Sequence, residues 1–130
     1  MNPPPPSPGP ESPSALDAQA LARLRELDPD GRHGVFERVM RTYESSLLRL
    51  TGQLAEARDK GDLAAAGAVA HTLKSSSASI GAIKLSQQCA EIETMIRLEK
   101  SEDLDARVDA MCAEVEIVLQ ALRSLMDPKS

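Results

Sequence analysis

The stretch AVAHTLKSSSASIGA places His71 among side chains that are too small to cover it. On a helix, the residues three and four positions away share a face with it, and these are Gly67, Ala68, Lys74 and Ser75. An imidazole nitrogen that is open to solvent beside the Lys74 cation is suited to accept an anionic group from another protein. The alternative interpretation is a surface histidine without a task on an alanine-rich helix.

The small-residue face has a cost that calls for a reason. Gly67 inside a helix is less favourable than alanine by about 1 kcal/mol, and close approach of another molecule is one explanation for it. Ala78, seven residues after His71, extends the same face by a further turn. The sequence therefore predicts an accessible, flat surface around the imidazole.

A second functional side chain follows from a predicted hairpin at Gly81. His71 lies ten residues before this turn, so an antiparallel partner helix brings residues near Glu93 to the same level. A Glu93 carboxylate that accepts the Nδ1 proton would fix the tautomer and leave the Nε2 lone pair pointing outward. Arg97, one turn beyond Glu93, would add a cation or complement the helix dipole. The alternative for Glu93 is an ordinary solvated charge.

The elements that must position these residues read as five helices. The composition is 42% hydrophobic but 2% aromatic, which favours helices packed on helices over strands. Apolar residues at spacings of three and four predict a short helix from Ser14 to about residue 27, then helices over about 33–59, 63–80, 83–99 and 102–126. We expect an all-α fold, an antiparallel four-helix bundle with a short additional N-terminal helix across one end.

Local signals mark the ends of these helices. Gly61 suits a left-handed C-terminal cap, Asp62 and Ser101 suit N-terminal caps, and Pro128 ends the last helix. The predicted first helix has a start like a capping box at Ser14 and an apolar face consisting of Leu16, Ala20, Leu21, Leu24 and Leu27.

The domain organisation follows from the distribution of proline. Residues 1–13 contain seven of the nine prolines and no apolar periodicity, which predicts a disordered tail, with one ordered domain over residues 14–127. A ligand for a proline-binding domain is the alternative for the tail.

Composition also excludes several classes of function. The net charge of −5 and the lack of a basic cluster argue against a nucleic-acid partner. No apolar run is long enough to span a bilayer and no signal peptide is apparent, so we expect a cytoplasmic protein without membrane contact. Cys89 and Cys112 lack metal-site spacing and are predicted to be buried thiols. His33 follows a turn without a partner and is interpreted as an incidental surface residue.

Residues 70–93, AHTLKSSSASIGAIKLSQQCAEIE, resemble the signature of histidine-containing phosphotransfer (HPt) domains, and the similarity extends over about residues 14–126. The positions that carry it are His71, Lys74, Gly81 and Leu85. The resemblance implies that His71 accepts a phosphoryl group from a receiver-domain aspartate and passes it to another receiver. Glu93 falls at a polar position that is often Gln in relatives, and Ser75 replaces a common Gly, which we expect to tune the reaction.

The same resemblance implies the partners and excludes an autonomous kinase. The partners would be response-regulator receiver domains and a hybrid sensor histidine kinase, with magnesium on the receiver and no cofactor on this chain. The sequence lacks a Walker lysine, a Gly-rich nucleotide loop and a magnesium-binding acidic cluster, so we expect a phosphoryl carrier and not an enzyme. We expect a monomer because the acceptor face must remain free, although the charge and length also permit a dimer.

A docking surface for an acidic receiver should be largely apolar, because the net charge of this chain gives no attraction. The candidates are Leu21, Leu24 and Phe36 together with Ala78; the first three could equally belong to the core. Two other functions remain open: a helical adaptor or scaffold without phosphate chemistry, and the dimerisation hairpin of a histidine kinase, which would need an ATP-binding domain.

Overall fold

The structure, a computed structural model, describes residues 15–100 and 102–126. Within these ranges it consists of five α-helices without a β-strand: α1 (Ala18–Arg25), α2 (Val35–Asp59), α3 (Leu63–Ile80), α4 (Ile83–Arg97) and α5 (Leu104–Met126). The all-α prediction is confirmed. None of these helices combines the length and apolar character that a membrane crossing requires.

Some sequence-based expectations fall outside the described residues. They concern the proline-rich tail over residues 1–13, the capping role of Ser14, the cap at Ser101 and the helix end at Pro128.

Helices α2 to α5 form an antiparallel bundle, in which each packs against the next and α5 returns to α2. Ion pairs show the antiparallel register of α2 and α5. Arg123 Nε lies 2.9 Å from Glu44 Oε2 at one end, and Arg58 Nη1 lies 3.0 Å from Asp109 Oδ1 toward the other. The short α1 packs on α2 and α3 at the end where α3 stops. The predicted four-helix bundle with an additional N-terminal helix is confirmed.

The core contains aliphatic and sulfur-bearing side chains from each bundle helix, as the aromatic-poor composition predicts. The largest fully buried side chains include Met40, Leu47, Leu54, Leu73, Leu85, Ile92, Met111, Leu119 and Leu122. These residues recur at helical spacing along the predicted apolar stripes. Their burial removes from water most of the apolar surface that stabilises the bundle.

The start of α1 differs from the prediction. The first helical residue is Ala18, and the Asp17 side chain accepts a hydrogen bond from the Ala20 N–H at 3.0 Å, so Asp17 provides the N-terminal cap. Leu27, predicted for the inner face, is 65% exposed. Because α1 ends at Arg25, helical periodicity no longer directs Leu27 toward the core.

The turns around α3 confirm the glycine signals. Gly61 has φ of 70° after α2, and Asp62 caps α3 through a hydrogen bond from the Ala65 N–H. Gly81 has φ of 90°, a conformation that only glycine adopts without strain, and ends α3. Only two residues, Gly81 and Ala82, separate α3 from α4, so the turn fixes which residues of the two helices face each other.

The start of α2 depends on a side-chain cap from the preceding loop, which was not predicted. Helix α2 begins at Val35, and the buried Asp28 accepts hydrogen bonds from the backbone N–H groups of His33 at 2.9 Å and Val35 at 3.3 Å. Burial raises the pKa of Asp28, but these two hydrogen bonds lower it together with the charge of His33 and a hydrogen bond with Asp30, and the net pKa is lowered. The carboxylate of Asp28 therefore joins the loop after α1 to α2.

Candidate functional site

His71 lies on the exposed side of α3, at the groove between α3 and α4. Its side chain is 61% exposed, as the small neighbouring residues predicted. The ring opens into a cleft of about 510 Å³ lined by residues of α3 and α4: Gly67, Ala68, Thr72, Glu93, Ile96 and Arg97. The helix thus holds the imidazole at the surface without a bulky side chain over it.

Glu93 on α4 holds one side of the imidazole. His71 Nδ1 lies 2.9 Å from Glu93 Oε2, so the tautomer protonated on Nδ1 donates a hydrogen bond to the carboxylate. Within the described chain, Nε2 makes no hydrogen bond and keeps its lone pair for another molecule. The predicted pairing of His71 with Glu93 is present, and Glu93 is not simply a solvated charge.

Lys74 contacts the other oxygen of the same carboxylate. Its Nζ lies 2.8 Å from Glu93 Oε1, and the two side chains are 34% and 24% exposed. Glu93 therefore joins the histidine to the lysine. The hydrogen bond from Lys74 lowers the pKa of the Glu93 carboxyl, partial burial opposes this, and the hydrogen bond from His71 adds to it; the net pKa is lowered. Glu93 is ionised at neutral pH.

The spacing of Lys74 from His71 predicted that the two are neighbours, but the ion pair of Lys74 with Glu93 was not predicted. The signal was present in the hairpin argument, because Lys74 lies one turn closer to Gly81 on the same face of α3. A long side chain at that position can reach the carboxylate that the shorter imidazole also contacts.

Hydroxyl groups fix the register of α3 against its neighbours. Ser86 Oγ on α4 donates to the Lys74 carbonyl at 2.9 Å. On the opposite side, the buried hydroxyls of Tyr43 and Ser77 share a hydrogen bond of 2.7 Å between α2 and α3. Burial raises the pKa of Tyr43 to about 12, although the Ser77 hydrogen bond opposes this, so the pair stays neutral. These contacts keep the helix that carries His71 from sliding.

Gly67 is not required by packing within the chain. A Cβ atom built at this position would lie 3.6 Å from Ile96 Cγ2, an ordinary van der Waals distance. Alanine would therefore fit between α3 and α4. Gly67 lines the cleft beside His71 and, without a side chain, adds no bulk to it.

The remaining predicted residues of the small face are close to the site but make few contacts. Arg97 is exposed, lines the cleft and has no ion-pair partner within the described residues. Ser75 and Ala78 are exposed along α3, and the Ser75 carbonyl accepts a hydrogen bond from Ser79 Oγ at 3.1 Å.

The candidate docking residues divide into two groups. Leu21 is 8% exposed and belongs to the core, which is the alternative that its sequence pattern left open. Leu24 and Phe36 are half-buried at the edge of the core, and the Arg25 guanidinium lies 4.2 Å from the centroid of the Phe36 ring. A stripe of leucines on a short helix could not distinguish these environments.

The two cysteines and the second histidine lie apart from this site. Cys89 is buried and Cys112 half-buried, both are free thiols, and burial raises the pKa of Cys89 to about 12. His33 is exposed in the loop before α2. In the part of the chain that the structure describes, no group of three or more His, Cys, Asp or Glu side chains could hold a metal ion.

Comparison with known proteins identifies the family and the fold. The model of the Hpt domain family matches residues 38–125. The crystal structure of histidine-containing phosphotransfer protein B (HptB) from Pseudomonas aeruginosa PAO1 superimposes with a TM-score of 0.79 at 26% sequence identity, covering 87% of this chain and 95% of that chain. No match was found among curated protein sequences.

A four-helix bundle with an additional N-terminal helix is the fold that this chain shares with a histidine-containing phosphotransfer protein. The chain belongs to the Hpt domain family. Proteins of this family carry phosphoryl groups on histidine within phosphorelays, and they act as phosphoryl carriers rather than as enzymes.

Proposed function

We propose that His71 is the phosphoryl acceptor of this chain. It receives the phosphoryl group from the aspartyl phosphate of one receiver domain and gives it to the aspartate of another. The observation that carries this assignment is the combination of a 61% exposed ring with an Nδ1 atom 2.9 Å from a carboxylate. This arrangement fixes the tautomer and directs the nucleophilic Nε2 to solvent.

In the proposed reaction, the Nε2 lone pair attacks phosphorus in line with the bond to the aspartyl oxygen. The P–N bond forms, the P–O bond breaks, and the aspartate recovers its carboxylate, while the Nδ1 proton stays in place. Such transfers depend mainly on positioning and on stabilisation of the spread negative charge. Lys74 and Arg97 would supply cations on either side of the ring, and the Ser75 hydroxyl is small enough to leave access to it.

The proposal assigns Mg²⁺, and the acidic residues that bind it, to the receiver domain. This chain would supply the histidine, its orienting carboxylate and the two cations. Response-regulator receivers and a sensor kinase are the partner classes that Hpt domains serve; we propose a hybrid kinase as the source of the phosphoryl group.

We propose that the receiver docks on the face shared by α1, the start of α2 and α3. Ala78 and Ser75 form its flat part, and half-buried Leu24 and Phe36 its apolar edge. An apolar groove of about 410 Å³ lies beside them, lined by residues of α1, α2 and α3 that include Leu24, Val39, Tyr43 and Ile80. Because the chain carries a net charge of −5, apolar contact is the interaction that this face can offer an acidic receiver.

The test is phosphoryl transfer from a receiver domain labelled with ³²P on its aspartate. The purified chain should gain an acid-labile, alkali-stable label. His71→Gln should gain none, while His33→Gln, which removes the other histidine, should be labelled like the wild type. Equal labelling of His71→Gln and the wild type would show a different acceptor, and a wild-type chain that takes no label would favour the adaptor function.

A further inference from the structure

The acidic character of Glu93 has a consequence for the phosphorylated state of the site. A neutral amide could also accept the Nδ1 hydrogen bond, so orientation of the ring does not require a carboxylate. The carboxylate adds a negative charge. The Glu93 side chain is 24% exposed, and its Oε2 atom lies 2.9 Å from Nδ1. This charge acts most strongly when the ring itself becomes cationic.

The phosphorylated ring is cationic for a covalent reason. When phosphorus bonds to Nε2 and the proton remains on Nδ1, both nitrogens carry substituents and the ring has a positive charge. Cleavage of the P–N bond then returns the electron pair to Nε2 and leaves neutral imidazole. If the Nδ1 proton is lost first, cleavage must expel an imidazolide anion, a much poorer leaving group.

We propose that the charge of Glu93 retains the Nδ1 proton on phosphorylated His71, so that the phosphohistidine remains a competent donor to higher pH than an uncharged residue would allow. This inference rests on the proposed role of His71. Glu93 is then a positioning residue that acts through the ring and does not touch the phosphoryl group.

The neighbouring charges support this direction of the effect. The residues lining the cleft come from α3 and α4. The charged groups near the ring are Glu93 and Arg97 on α4, which line the cleft with it, and Lys74 on α3, which pairs with Glu93. Lys74 opposes retention of the proton and is balanced by its own ion pair with Glu93. In the phosphorylated state, the phosphoryl oxygens provide a second anion for Lys74 and Arg97, which leaves the carboxylate freer to stabilise the cationic ring.

The proposal is tested on the full chain phosphorylated with phosphoramidate, a small donor that needs no receiver. The ring protonation is followed by ¹⁵N and ³¹P NMR as a function of pH, and the rate of hydrolysis of the phosphohistidine is measured over the same range. We expect the titration midpoint of the phosphorylated ring to lie about one pH unit lower in Glu93→Gln than in the wild type. Hydrolysis at alkaline pH should then be about tenfold slower in the variant.

Two further variants control for charge and direction. Glu91→Gln removes the same charge from the same helix, but Glu91 pairs with Arg107 and lies outside the cleft, so its profile should match the wild type. Lys74→Gln should move the midpoint upward. Coincident midpoints in Glu93→Gln and the wild type would overturn the inference while leaving the acceptor role intact. Labelling that survives His71→Gln would instead overturn the proposed function, and the inference with it.

Discussion

His71 must satisfy two requirements that usually conflict, because a ring held by partners is normally also covered by them. Here the contacts lie on one edge only. Glu93 binds Nδ1 from α4, while Gly67 and Ala68, which line the same cleft, carry almost no side chain. A short helical neighbourhood thus gives orientation and access together, and the cost is a glycine within the helix.

This cost leads to a prediction for Gly67→Ala. Because the added methyl group meets Ile96 at an ordinary distance, the variant should be more stable to urea by about 0.5–1 kcal/mol. Transfer from a phosphorylated receiver should become slower, since a partner that approaches the cleft meets the new methyl group, while labelling by phosphoramidate should be unchanged.

Gly52→Ala is the matched control, because a Cβ atom at this position on α2 meets no atom within 4 Å. It should gain similar stability with no change in receiver transfer. If Gly67→Ala is less stable than the wild type, or accepts the phosphoryl group as fast as Gly52→Ala, then Gly67 does not serve to admit a partner to the cleft.

Among the elements, the α3–α4 hairpin determines the site, because its turn sets which residues of the two helices meet. The turn also holds α1. The Asp17 N–H donates to the Gly81 carbonyl at 2.7 Å, and a Cβ atom at Gly81 would lie 2.9 Å from the Cβ of Ala20. One glycine therefore serves both the hairpin and the docking of the first helix.

Gly81→Ala should accordingly destabilise the protein by more than the cost of placing alanine in a left-handed conformation. Gly61 provides the comparison, since it has φ of 70° but no atom within 4 Å of a built Cβ. We expect Gly61→Ala to lower the free energy of unfolding by about 1 kcal/mol and Gly81→Ala by about 2 kcal/mol or more in urea denaturation. Equal losses would show that the contact with α1 contributes nothing.

The Asp28 cap predicts a pH-dependent stability. A carboxyl whose pKa is lowered in the folded state stabilises it above the unfolded pKa, about 3.9, and this contribution is lost as the pH falls through the folded value. Asp28→Ala should therefore lower the melting temperature clearly at pH 7 and much less at pH 3. Glu26→Ala, which removes an exposed carboxylate whose side chain makes no hydrogen bond or ion pair within the described residues, should change it little at either pH. An equal loss at both pH values for Asp28→Ala would contradict the role of its charge.

Much of this arrangement was predictable because it depends on short-range patterns. Apolar spacing predicted the bundle helices, glycine and aspartate predicted the turns, and the hairpin at Gly81 brought Glu93 to His71. The Asp28 cap was not predictable, because its partners lie five and seven residues away around an irregular loop. Leu21 and Leu24 share one amphipathic stripe, and only the position of α1 on the bundle separates the buried residue from the half-buried one.

At the scale of the whole molecule, association must occur without help from net charge. The exposed large apolar side chains include Leu48 and Ile117, on helices other than α3, so apolar exposure alone does not identify the docking face. The docking face is identified instead by access to His71. A partner that brings an aspartate to this ring must cover the exposed surface of α3, where Ala78 lies two turns beyond the histidine.

Ala78→Phe is therefore expected to slow transfer from a phosphorylated receiver on the order of tenfold or more, because a bulky side chain displaces the aspartate from in-line geometry. Ala113→Phe makes the same change at an exposed position of α5 and should transfer like the wild type. Both variants should be labelled normally by phosphoramidate, which separates docking from the reactivity of His71. The rate of phosphoryl transfer from the receiver is also measured over a range of salt concentrations. If docking occurs through apolar contact, this rate should stay constant or rise with salt. A receiver that transfers equally well to both variants would place its contact surface away from this face of α3.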